Sequence, residues 1–219
     1  MLLFLLALTP LFTPPEGWQC ARPRNASPYV QVGFVGKGTT AFHPSINLAT
    51  EEIDVPLKEY LKAVKEVHLR ERNTTWRDLG KFTMQAGEGR LTEITSNGMW
   101  GEVKTYQAIY VDGTTAYILT AALQKKDITT LQKEIFQAFR SFSLLPDLTT
   151  PLSDPRKNQY AALLTSLGQF TSDEPTASQQ QRQWDQFQKN ITTAFPDMGS
   201  HWHFLALQEG HAKIYPPKN

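Results

Sequence analysis

Within residues 29–37, YVQVGFVGK, the apolar side chains Val30, Val32 and Phe34 fall on every second position, the period of a β-strand. A second extended stretch, SINLATEEI, begins at Ser45. The period then changes. Asp54 and Pro56 form a helix start, with an oxygen cap and a proline in the first turn, and Leu57, Tyr60, Leu61, Val64 and His68 recur at helical spacing. After Asn73 the pattern returns to strands, WRDLGKFTMQ, EGRLTEITS, MWGEVKTYQAIYV and TTAYILTAAL, separated by AGEG, NG and DG. Asn97-Gly98 and Asp112-Gly113 are hairpin signals, because both central residues of a type I′ turn need positive φ. An antiparallel meander is predicted.

The run AYILTA, residues 116–121, decides how this meander is covered. Tyr117, Leu119, Ala121 and Leu123 point one way, Ala116, Ile118, Thr120 and Ala122 the other, and neither face carries a charge. Such a strand lies in a sheet covered on both sides. Tyr117 and Ile118 are therefore both expected to be buried, on opposite faces. Asp127 is expected to cap a second helix with the stripe Ile128, Leu131, Ile135 and Phe139, and SFSLLP to leave it as a short strand. Two amphipathic helices thus bracket five or six antiparallel strands. The fold class predicted is α+β, an α/β/α sandwich with a central antiparallel sheet flanked by helices, plus a C-terminal helical extension.

In that extension Tyr160, Leu163, Leu164 and Leu167 keep helical spacing up to Gly168, and Trp184, Phe187, Ile191 and Phe195 make a second stripe beyond the polar TSDEPTASQQQRQ. WHFLAL and AKIYPP are predicted to close the chain as short strands. Docking of the stripes onto the sandwich is expected, since short isolated helices are marginal in water; a partner helix or membrane surface is the alternative. The second stripe has no Lys/Arg-rich polar face, which argues against the membrane. The expected organisation is an apolar segment at 1–14, the sandwich at 15–146, and the helical extension with its terminal strands at 147–219.

Composition narrows the function classes. The 219 residues, 40% hydrophobic and 20% charged, suit a soluble domain with a sizeable core and a smaller appendage. A net charge of +1 provides no field to gather polyanions, so nucleic acid is not an expected partner. The single cysteine, Cys20, allows no internal disulfide and no thiolate metal cluster. At the N-terminus MLLFLLAL falls short of the ~20 residues of a membrane span, and it lacks the basic start and small-residue cleavage site of a secretory signal. An atypical export signal and a cytoplasmic chain stand equally open, as does membrane association. Trp18-Gln19 are too bulky for a lipid-modified cysteine, so Cys20 is expected to be a small buried residue. Asn25, Asn73 and Asn190 begin glycosylation patterns that matter only in a eukaryotic secretory pathway.

PPEGW (Pro14–Trp18), FHPSINL (Phe42–Leu48), the helix with Tyr60-Leu61, Ala86-Gly87, AYILTA (Ala116–Ala121) and FRSFSL (Phe139–Leu144) resemble the PsbP-like superfamily in order and spacing, from Pro15 to about Leu145. The resemblance implies an antiparallel sheet between helices in a protein that binds other proteins. Relatives of that kind include an extrinsic subunit of photosystem II, a Ran-binding nuclear import factor, bacterial envelope lipoproteins and adaptor chaperones for secreted toxins. It carries over no catalytic residue. The chain departs from the lipoprotein members in having no lipobox at Cys20.

Candidate chemistry is sparse. GFVGKGTT (Gly33–Thr40) has two residues where a phosphate-binding loop has four, Gly38 follows its lysine, and Pro44 prevents a helix from following; it is expected to be a Gly-rich turn. AGEGR (Ala86–Arg90) joins two strands and offers no helix N-terminus. HWH places His201 and His203 on one side of the predicted strand, with His211 beyond a Glu209-Gly210 turn, so three imidazoles could converge on a metal, although no acidic fourth ligand adjoins them. Cys20 and Ser141 lack the context of an activated nucleophile, His43 and His68 are expected to be surface or packing residues, and Glu51-Glu52 a solvated face. Trp100, after the Asn97-Gly98 turn, is the candidate protein-binding residue, with folding back over the sheet edge as part of the core an equally open alternative. The function expected is a non-catalytic protein-binding scaffold or adaptor with no cofactor and no metal. The alternatives are an extrinsic structural subunit of an envelope complex and a metal-assisted hydrolase using the C-terminal histidines.

Overall fold

The computed structural model describes residues 8–21, 27–39, 41–170 and 175–216. In chain order its elements are strands β1 (Thr9–Leu11), β2 (Gln19–Cys20), β3 (Val30–Val35) and β4 (Ser45–Glu52), helix α1 (Leu57–Leu69), and strands β5 (Thr74–Met84), β6 (Gly87–Gly98), β7 (Gly101–Asp112) and β8 (Thr115–Gln124). Helix α2 (Ile128–Arg140), strand β9 (Ser143–Leu145) and helices α3 (Asp154–Thr165), α4 (Ala177–Ala194) and α5 (Gly199–Ile214) follow. They divide between two compact units, one of Phe12–Ser143 and one of the described residues of Met1–Leu11 and Leu144–Asn219.

The first unit is built on a seven-stranded sheet in the order β2-β3-β4-β8-β7-β6-β5, antiparallel throughout. Strand β8 lies between β4 and β7, with Leu119 opposite Leu48 on one side and Ala108 on the other. Tyr117 and Ile118 are each only 8% exposed and point to opposite faces. Ile118 joins Ile109 and Ala116 beneath Tyr60 and Leu61 of α1. Tyr117 meets the ring of Phe142 at 5.6 Å, just beyond α2, and on that same face Phe136 and Phe139 of α2 pack on Phe82. Burying each such side chain contributes about 1.5–3 kcal/mol. With a helix on each face, the unit is the α/β/α sandwich expected from AYILTA.

Three local details differ from the sequence patterns. The β6–β7 loop consists of Met99 and Trp100, because Gly98 pairs with Gly101; the positive φ of 76° falls on Gly101, not on Asn97 or Gly98. The β7–β8 loop is likewise Gly113-Thr114, closed by Asp112 opposite Thr115, with positive φ at Gly113 alone. Pairing across the strands sets the register, and an Asn-Gly or Asp-Gly step alone does not. The caps move as well. Pro56, not Asp54, occupies the N-cap of α1, and Asp127 at the N-cap of α2 makes no side-chain cap bond.

In the second unit β1 and β9 form a two-stranded sheet, and α3, α4 and α5 enclose Tyr160, Phe187, Ile191, Phe195, Trp202 and Ala206 together with Leu148 and Leu152. The Trp202 indole donates to the Leu148 carbonyl at 2.9 Å. Helix α4 begins with a reciprocal capping box between Thr176 and Gln179. The two stripes predicted on α3 and α4 are thus consumed within this core. The strand expected at WHFLAL is instead part of α5. Trp202, Ala206, Gly210 and Ile214, buried at every fourth position, form the helical stripe that the local HWH alternation concealed.

Candidate functional site

The β6–β7 hairpin ends in an apolar pair. Met99 is 89% exposed and Trp100 44%. Strong pairing brings them there: Arg90 through Gly98 of β6 run in unbroken register against β7 down to Gly101. Trp100 is held at both ends. Its carbonyl accepts from the Gln124 side-chain amide at 2.5 Å, and its ring stands edge-on to half-buried Phe42, with centroids 6.4 Å apart. The Lys125–Glu102 ion pair at 2.9 Å braces β7 beside it. Trp100 therefore presents part of its ring to solvent while its backbone is tied to β8 and one ring edge rests against Phe42. Beside Trp100, the residue singled out in the sequence, the structure places Met99 and Phe42; the pair of glycines in GMWG, flanking two large apolar residues, is the local signal for the first.

The histidine constellation does not assemble. On α5 residues two apart are separated by roughly 200° around the axis, so His201 and His203 face different ways. His201 is buried, a ring nitrogen of His203 lies 2.7 Å from the Phe195 carbonyl, and exposed His211 packs edge-on to Trp184 and beside Tyr215. Among the described residues no three His, Cys, Asp or Glu side chains are grouped to hold a metal ion. The predicted convergence depended on a strand that is a helix.

The other candidates take ordinary places. Cys20 lies exposed on edge strand β2 rather than buried, and partial desolvation pushes its thiol up, away from the reactive thiolate. It shares a shallow depression with His43. The Ser141 hydroxyl donates to the Ala138 carbonyl at 2.7 Å and accepts the Thr13 N–H at 2.8 Å, so it closes a turn. His68 is half-buried in the last turn of α1. Glu51 accepts from the Tyr60 hydroxyl at 2.5 Å, and burial, reinforced by this carboxylate, pushes the Tyr60 phenol up. In GFVGKGTT, Gly36 lies against the Trp18 indole where a Cβ would collide, which accounts for that glycine by packing; Thr40 lies outside the described residues. Asn73 is an exposed turn residue with φ of 61°, Asn190 accepts from Gln186 on α4, and Asn25 lies outside the described residues. So do residues 1–7 of the apolar N-terminal segment. Among the described residues no helix is long and apolar enough to cross a membrane.

No protein-family model matches the chain, and no curated protein matches it. Solved structures do. LpqN of Mycobacterium tuberculosis, involved in cell envelope biogenesis, is similar at 14% identity and a TM-score of 0.49, over 64% of this chain and 84% of that one. The cyanobacterial PsbP of Synechocystis is similar at 13% identity and a TM-score of 0.43, over 65% of this chain and 95% of that one. The Ran-binding protein Mog1p of Saccharomyces cerevisiae is similar at 19% identity and a TM-score of 0.43, over 66% and 94%. The similar structures thus include PsbP-like fold members, the superfamily that the sequence motifs resemble.

Proposed function

We propose that the chain is a non-catalytic protein-binding module of the adaptor type, and that its partner docks on the Met99–Trp100 hairpin tip. The observation that carries this is the exposure of two adjacent large apolar side chains on a braced turn. Tryptophan is among the side chains enriched at binding hot spots, and its truncation there costs about 2 kcal/mol or more. Phe42 extends the apolar surface beside it. The same surface would serve an extrinsic subunit of an envelope complex. The hydrolase alternative loses its support with the dispersal of His201, His203 and His211 around α5.

A photo-crosslinking residue placed at Met99 and activated in cells of the native organism tests the proposal. One stoichiometric protein is expected to be captured, and to be lost when Trp100→Ala is added to the same chain. A crosslinker at exposed Thr129 on α2 serves as the control. Equal capture from Thr129, or capture indifferent to Trp100→Ala, would move the partner surface elsewhere.

A further inference from the structure

A groove of about 720 Å³ opens between α1 and strands β5 and β6, on the sheet face that α1 covers. Pro56, Leu57, Leu61 and Trp76 give it an apolar wall, and Lys58, Lys62 and Lys65 stand along it. The lysines recur at i, i+4 and i+7 of α1, so they share one helix face. Their ammonium groups have exposed side chains, whereas Leu61 beside them is buried. The Lys65 ammonium lies 5.7 Å from the centre of the Trp76 ring. Asp78 is the acidic residue of the lining, and it is ion-paired to Arg90. Its charge is therefore spent, and the lysines remain as an uncompensated cationic rim within the groove lining.

Two donors in the lining add direction. The Trp76 indole N–H and the Arg90 Nε–H are buried and have no hydrogen-bond partner among the described residues. A buried N–H left unpaired costs more than a paired one returns; both atoms are closed to solvent, so a ligand oxygen reaches them only where the side chains of the lining shift. The volume lies inside the range of small-molecule sites, which are apolar with a few placed polar groups.

We propose that this groove binds a small anionic amphiphile of the long-chain carboxylate class, its chain along Leu57, Leu61 and Trp76 and its head among Lys58, Lys62 and Lys65. Charge complementarity selects the occupant: an apolar ligand without a negative head leaves the lysine rim unmatched, and a bare anion leaves the apolar wall uncovered. The site is independent of the hairpin tip and stands or falls apart from it.

The test uses the full chain and dodecanoate below its micellar concentration, followed by the indole N–H resonance of Trp76, assigned with Trp76→Phe. A saturable shift at one equivalent is expected. Dodecanol is expected to bind more weakly by about tenfold or more, and so is dodecanoate to the Lys58→Glu/Lys62→Glu variant. Both replaced lysines are exposed, so the melting temperature should stay unchanged. An unmoved Trp76 resonance, dodecanol binding as tightly as dodecanoate, or a groove that responds to an acidic peptide or anionic vesicles and not to dodecanoate would overturn the proposal.

Discussion

The Asp127 carboxylate takes two hydrogen bonds from Thr39, at 3.1 Å from its backbone N–H and 2.6 Å from its hydroxyl, across 88 positions of sequence. Asp127 is buried at the start of α2, and Thr39 sits in the Gly-rich turn between β3 and β4. The carboxylate that looked like a helix cap is thus a tether for a loop. Asp127→Ala is expected to lower stability by about 1–3 kcal/mol, and Thr39→Val, which keeps the backbone donor, by about 0.5–1.5 kcal/mol. Urea unfolding followed by circular dichroism measures both. Equal losses for the two would show that the backbone bond contributes nothing.

Two tryptophans should behave oppositely. Trp100 is partly exposed at a turn, so Trp100→Ala is expected to leave the melting temperature nearly unchanged. Trp202 is fully buried among Tyr160, Phe195 and Leu148, so Trp202→Ala should destabilise the second unit by about 3–5 kcal/mol. Thermal unfolding of the two variants side by side decides it. A large loss at Trp100 would make that residue structural and leave the hairpin tip without its role.

Helices α4 and α5 meet where Gly210 faces Phe187. A Cβ at 210 would run into the edge of the Phe187 ring. Gly210→Ala is therefore expected to cost about 1–3 kcal/mol despite the better helix propensity of alanine. Phe187→Leu in the same chain should recover part of that loss, which a double-mutant cycle reads as coupling. Additive effects would mean that the helices do not approach there.

The Tyr106 phenol reports on the sheet face beneath α2. Burial, and then the neighbouring Glu93 carboxylate, push it up to about 12 from its ordinary 10.0. Gln132 of α2 also donates to its oxygen at 3.1 Å. A raised value in the folded state means that this contribution to stability is fully present below pH 10.0 and is lost as pH rises through about 12. Alkaline titration of phenolate absorbance, wild type minus Tyr106→Phe, is expected to show one phenol ionising near 12. The Tyr106→Phe chain should also lose less stability across that window. A difference curve centred at the ordinary tyrosine value would place Tyr106 in solvent.

The faces of the central strand were legible in the residues themselves. Strand geometry turns alternate side chains to opposite sides, so an uncharged AYILTA had to be covered twice, and Tyr117 and Ile118 are buried on opposite faces. The stripes Tyr160 to Leu167 and Trp184 to Phe195 were legible for the same reason, as helix periods read from their own neighbours. Tertiary structure decided whatever depends on a distant partner. Cross-strand pairing moved the β6–β7 loop to Met99 and Trp100, and the approach of Thr39 turned Asp127 from a cap into a tether. The period of α5 places Gly210 inside a helix and disperses the three histidines, while only the folded chain sets Gly210 against Phe187. Local periodicity fixes which way a side chain points, whereas only the folded chain determines what it meets, because those contacts join residues whose sequence separation carries no periodic signal.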